Sequence, residues 1–138
     1  MKTCSGGILV RENLILLAKR KRSLEFYPDV WDIVGGHCRN GETPEETLMR
    51  EFREEIGVIP TEFFHIAVFK DPEPDFHGEY EYHIFVVTDW TGEPRNVATN
   101  EHSDLVWVAL DDTKNLHLAH PEYSALFKDI AAWSSEEI

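Results

Sequence analysis

The chain has 138 residues and a formal net charge of −13, an acidity that argues against binding a nucleic-acid backbone or an anionic membrane surface. Its length suits one domain with one substantial core; no apolar run reaches a membrane span, and the N-terminus has no signal-peptide pattern. Two cysteines, Cys4 and Cys38, make no disulfide framework, so the expected setting is the reducing cytoplasm.

Residues 4–10 form the first predicted strand, with Gly6-Gly7 marking a bulge or a close backbone approach. Residues 11–13 turn the chain, and 14–18 return as a second strand. Lys19, Arg20, Lys21 and Arg22 then open a loop that runs to Pro28. A solvated loop would account for these cations; the functional alternative is that Arg20 and Arg22 contact substrate phosphates. Phe26 and Tyr27 in the same loop are candidates for stacking on a nucleobase, whereas Trp31 suits the core. Residues 31–34 form a short strand that delivers the chain into Gly35-Gly36.

A loop follows, with Asn40-Gly41 suited to positive φ, and then a helix with both ends signed. Thr43 is the N-cap, Pro44 the first helical residue, and Glu46 completes a capping box; Gly57 ends the helix. Leu48, Met49, Phe52 and Ile56 fall within roughly 100° of one another, the width of a core-facing stripe. Glu51, Glu54 and Glu55 share a second arc, with Arg50 and Arg53 between the two. Glu51 and Glu55 repel at i,i+4, and two of the three acids sit in the last turn, where the helix dipole disfavours them. A bound hard cation compensates such a cluster, and carboxylate oxygens suit Mg2+ or Mn2+. The plain alternative is a solvated acidic face offset by the two arginines.

Beyond the helix, 63–70 reads as a strand and 71–78, with two prolines, as a loop. The aromatic and β-branched run 80–90 is the strongest strand signal in the chain. Residues 91–94 turn, 96–103 make a polar connection, and 105–110 form another strand. Asp111-Asp112 cap a helical turn to Leu116. Residues 122–133 suit a C-terminal helix with Tyr123, Leu126, Phe127 and Ile130 as its buried stripe, and 134–138 is expected to fray. Strands interleaved with two main helices predict an α/β architecture, a mixed β-sheet covered on both faces.

The stretch 35–58 resembles the Nudix box, whose pattern is G-x5-E-x7-R-E-U-x-E-E-x-G-U with U apolar. Gly36, Glu42, Arg50, Glu51, Phe52, Glu54, Glu55, Gly57 and Val58 occupy every specified position. The segment before the glycines departs from the Leu-Pro-Gly-Gly common in that family, reading Ile-Val-Gly-Gly-His. The resemblance implies an α/β/α sandwich with a mixed β-sheet between helices. It also implies Mg2+- or Mn2+-dependent hydrolysis of the pyrophosphate linkage in a nucleoside diphosphate joined to another moiety, an oxidised nucleoside triphosphate among the options.

Carried over residue by residue, the resemblance makes Glu51, Glu54 and Glu55 metal ligands, joined by the carbonyl of Gly35. Arg50 orients a ligand carboxylate, and Glu42 is a structural member. Glu101, in a later loop, corresponds to an added ligand or base, and Glu54 and Glu101 are the candidates for general base. His37 follows the glycines directly. His120-Pro121-Glu122 resembles a turn that reads the base in the oxidised-purine branch, with His120 in place of the expected aromatic; its bland reading is a helix start. No zinc motif accompanies the seven histidines. The expected partner is a small-molecule nucleotide or other diphosphate, bound by a monomer or homodimer. Two competing readings are an enzyme like the isopentenyl-diphosphate isomerases, and a non-catalytic nucleotide sensor; the intact set of box carboxylates argues against the second.

Overall fold

The computed structural model describes residues 2–136. Strand β1 (Lys2–Arg11) turns at Glu12, φ 57°, into β2 (Leu14–Arg20). Between β2 and the first long helix the single predicted strand 31–34 is in fact two, β3 (Trp31–Asp32) and β4 (Val34–His37). The pair β3 hydrogen-bonds with β2, and β4 lies antiparallel to β1, so the chain changes neighbours at Ile33. There the Asp32 carboxylate takes the Ile33 N–H at 2.8 Å, and no strand need satisfy it.

Helix α1 (Pro44–Ile56) forms as its residues dictate. The N–H of Glu46 donates to Thr43 Oγ1 at 3.2 Å and the N–H of Thr43 to Glu46 Oε1 at 3.0 Å, which closes the capping box. Gly57, at φ 72°, ends the helix in the left-handed region. Strand β5 (Ile59–Lys70) starts earlier than its alternation suggests, because three register shifts against β6 spoil the period of two. The predicted loop 71–78 contains one helical turn, α2 (Pro74–His77).

Strand β6 (Tyr80–Thr91) runs parallel to β1 and antiparallel to β5; β7 (His102–Ala109) pairs with β2. Leu110–Asn115 is a 3₁₀ turn, and α3 (Tyr123–Glu136) follows. Residues 134–136 of the tail expected to fray continue that helix; Glu137 and Ile138 lie outside the described residues.

The result is a mixed sheet of seven strands among the described residues, in the order β3-β2-β1-β6-β5 with β4 and β7 branching off β1 and β2. Successive side chains point to opposite faces, which divides the core in two. Leu9, Leu16, Val34, Phe85 and Val87 pack under α1 with Leu48, Phe52 and Ile56. Ile8, Leu17, Ile33, Ile84 and Val86 pack under α3 with Tyr123, Leu126, Phe127 and Ile130. Met49, expected on the stripe of α1, is only half-buried at its edge. Gly7 permits this docking: a Cβ there would stand 2.7 Å from the ring tip of Phe52. No helix among the described residues is long and apolar enough to cross a membrane.

Candidate active site

The buried stripe turns the opposite arc of α1 outward, over the Gly35-Gly36 end of β4. Gly36 and Glu51 touch there: a Cβ at Gly36 would meet Glu51 Oε1 at 2.5 Å, so any side chain at this position would displace that carboxylate. At Gly35 a Cβ would stand 2.2 Å from the carbonyl oxygen of Ser5, so close pairing with β1 sets that glycine.

Arg50 ties the acids into one frame. Its Nε and Nη2 donate to the two oxygens of Glu42 at 2.7 and 2.9 Å, a bidentate contact. Nη1 donates to Glu51 at 2.8 Å and to Glu54 at 3.2 Å, while Nη2 also reaches the carbonyl of His37 at 2.9 Å. Thus one side chain holds the loop, the helix and two predicted ligands in register. Glu42 is held down to about 2, first by the Arg50 hydrogen bonds and then by the Arg39 N–H. Thr47, buried on α1, donates to the same carboxylate at 2.9 Å.

Glu55 is different in kind. It is 3% exposed, and neither of its oxygens has a hydrogen-bond partner among the described residues. Burial pushes its pKa up to about 11, and the neighbouring carboxylates of Glu101 and Glu51 add to the effect. His102 Nε2 lies 3.7 Å from Glu55 Oε1. Burial pushes His102 down, so its imidazole is neutral at ordinary pH and keeps a lone pair to offer. Glu55, Glu101 and His102 each bring a ligand atom to within 4.8 Å of the others. A buried carboxylate without a donor, flanked by further acids, fits a divalent cation, whose charge would repay the desolvation.

The cleft over these groups has a volume of about 520 Å³ and is lined by Arg20, Gly35, Gly36, His37, Arg50, Glu51, Glu54, Glu55 and Glu101. All the predicted metal and catalytic residues therefore share one cleft. Arg20, Gly35, Gly36 and His37 also line a second, aromatic pocket with Phe26, Tyr27, Tyr80, Tyr82 and Tyr123. Arg20 braces its wall by donating to the carbonyls of Tyr27 and Phe26 at 3.0 and 2.7 Å. Asp71 accepts from the hydroxyls of Tyr27 and Tyr82, both at 3.0 Å, and so pins the loop after β2 to β6.

Three residues expected to bind substrate lie elsewhere. Arg22 points into solvent, its side chain 88% exposed, with Asp29 at 3.7 Å. His120 is buried: its Nε2 meets the carbonyl of Lys70 at 2.8 Å and its Nδ1 accepts the N–H of Glu122 at 3.1 Å. That is the helix-start role, with both ring nitrogens engaged. Glu122 is exposed and lines neither pocket. Conversely, His102 and Asp32 stand at the site without having been singled out. The one signal for His102 was its place beside Glu101; for Asp32, a carboxylate inside a strand otherwise apolar.

Comparison with known proteins agrees with this geometry. Residues 3–130 match the NUDIX domain family. Nucleoside triphosphatase NudI of Klebsiella pneumoniae is 35% identical over 127 residues, covering 85% of this chain and 88% of that protein. The 8-oxo-dGTP diphosphatase of Escherichia coli is 29% identical over 109 residues, 77% and 82% of the two chains. Among solved structures, a MutT NUDIX hydrolase from Burkholderia pseudomallei superposes with a TM-score of 0.76 at 27% identity, covering 91% of this chain and 94% of that one. A complete box, a mixed sheet between helices and these relatives place the chain in the Nudix hydrolase family, whose members generally use a divalent metal ion.

Proposed function

We propose that this chain is a Mg2+-dependent pyrophosphohydrolase of nucleoside triphosphates, oxidised ones included, that accepts Mn2+ in its place and works in the cytoplasm. The observation that carries the reading is the buried Glu55 carboxylate. It has no hydrogen-bond partner among the described residues and stands at the floor of a cleft that opens into an aromatic pocket. The names of the relatives, a nucleoside triphosphatase and 8-oxo-dGTP diphosphatases, point to the same substrate class.

Glu51, Glu55 and Glu101 would hold a divalent ion, which would supply positive charge for the phosphates and make a water more acidic. The chain's own residues do the rest. Arg50 holds Glu51 and Glu54 at fixed separation, so that these two acids need no reorganisation. Glu54 and Glu101 are the acids open to solvent at the mouth of the cleft, placed to hold the proton that water gives up. Arg20, which lines both cleft and pocket, carries a cation at the place where phosphates and nucleoside would meet.

A panel of nucleoside triphosphates, dinucleoside polyphosphates, nucleotide sugars and ADP-ribose, assayed with Mg2+ and with Mn2+, tests the reading. Metal-dependent release of pyrophosphate and a nucleoside monophosphate, fastest with a triphosphate, is the expected result. Turnover confined to the sugar or ADP-ribose conjugates would overturn the substrate class.

A further inference from the structure

Two histidines meet on the outer strands of the sheet, away from the acidic cleft. Phe85 packs under α1, and His83, two residues earlier on β6, points to the same face beside Pro44. His65 pairs with Phe85 across the ladder and meets its ring edge-on, with centroids 5.1 Å apart. His65 and His83 are therefore diagonal neighbours, and a register shift between His65 and Ala67 falls where their rings come together. Neither residue lines the cleft of α1.

The pair is backed by a carboxylate. His83 Nε2 donates to Glu81 Oε1 at 2.7 Å, and Lys70 Nζ donates to the other oxygen of Glu81 at 3.2 Å. These two contacts, His83 first, hold Glu81 below its ordinary pKa, so at neutral pH it is ionised and can only accept. With its proton on Nε2, a neutral His83 keeps a lone pair on Nδ1. That atom lies 2.9 Å from Nε2 of the exposed His65. A hydrogen bond between two rings at the surface needs no carboxylate behind it, whereas a histidine that ligates a metal commonly has one at its other nitrogen.

We propose that His65 Nε2 and His83 Nδ1 form a second metal site, one for Zn2+, with Glu81 fixing the His83 ring. Imidazole nitrogens suit Zn2+ where clustered carboxylates suit Mg2+, so the two sites of the chain select different ions. Zn–N bonds of about 2.0–2.1 Å set two tetrahedral ligands roughly 3.3 Å apart, so the rings need part by only about 0.4 Å. His65 then carries its proton on Nδ1; the neutral pair loses none, and water fills the remaining positions. The ion would fasten β5, the last strand in the sheet order, to β6 at the irregularity in their ladder.

Zn2+ titrations of the full chain in excess Mg2+, which competes for the acidic cleft, test the site by calorimetry and by long-range 1H–15N spectra of the imidazoles. The first Zn2+ should move His83 Nδ1 and His65 Nε2 together, ahead of the other histidines, and Mg2+ alone should move neither. His65→Ala, a change at an exposed side chain, should weaken that step by about tenfold or more, and Glu81→Gln by roughly tenfold with both ligands in place. Zn2+ that bound His65→Ala as tightly as wild type, shifted only other imidazoles or failed to bind would overturn the proposal. So would Mg2+ moving both nitrogens as Zn2+ does, and an unchanged affinity in Glu81→Gln would overturn the role given to its carboxylate. No substrate enters these measurements, so their outcome is independent of the hydrolase reading.

Discussion

At the residue scale, two glutamates of the site titrate in opposite directions, and each gives a measurable consequence. Glu55 has its folded-state pKa pushed up from 4.5 to about 11, chiefly by burial. It therefore favours the metal-free fold only while protonated: that contribution is complete below pH 4.5 and is lost as pH climbs toward 11. Glu55→Gln keeps the shape and removes the charge. In chelator at neutral pH its thermal midpoint should equal or exceed that of wild type, while kcat/KM falls by about 10²-fold or more, as for loss of a ligand. A lower midpoint together with retained activity would contradict the assignment.

Glu42 behaves conversely. Its pKa is depressed from 4.5 to about 2, first by Arg50, so its stabilisation is present above pH 4.5 and disappears as pH falls toward 2. Midpoints of urea unfolding measured across that window should decline more steeply for wild type than for Glu42→Gln.

At the element scale, the adjacent glycines of β4 should respond differently to the same substitution. A methyl at Gly35 meets the main chain of Ser5, which cannot move without parting β1 from β4; Gly35→Ala should cost about 1–3 kcal/mol. At Gly36 the obstacle is the end of the Glu51 side chain, which can swing aside. Gly36→Ala should therefore cost within about 1 kcal/mol of stability but lower activity by about tenfold or more, because a ligand is displaced. Thermal denaturation and steady-state kinetics on the two variants check the contrast; the same phenotype from both would refute it.

Elements also explain what could be read from the sequence. Helix α1 was legible end to end because Thr43, Glu46 and Gly57 act within one turn of where they stand, and its acids face one cleft for the same local reason. The start of β5 was not, since its bulges break the alternation that marks a strand. The break at Ile33 depends on two different strand partners, and no local pattern announces it. Asp32, Asp71 and Tyr123 meet around one pocket from distant parts of the chain, so their roles emerge only from the packing of α3 against the sheet and the pairing of Asp71 with β6. His120 shows the converse: a suggestive sequence context, overridden by two main-chain contacts.

On the scale of the whole molecule, the site joins parts that the sheet holds only indirectly. Glu51 and Glu55 come from α1, while Glu101 precedes β7 and His102 opens it. A cation shared between them would clamp helix to strand, and in a chain of net charge −13 it would also relieve repulsion. Ligand bound only by the folded state stabilises by about 2.7 kcal/mol at a hundredfold excess over Kd. For a domain of this size that corresponds to a rise of about 9 °C in Tm. Calorimetric scans with Mg2+ should show a rise of that order in wild type. Sodium chloride at matched ionic strength should raise wild type and Glu55→Gln alike, since screening does not need a site. The increment specific to Mg2+ should then vanish in Glu55→Gln. If Mg2+ raised the variant as much as wild type, the ion would be acting on the acidic surface at large, and Glu55 would have to be removed from the ligand set.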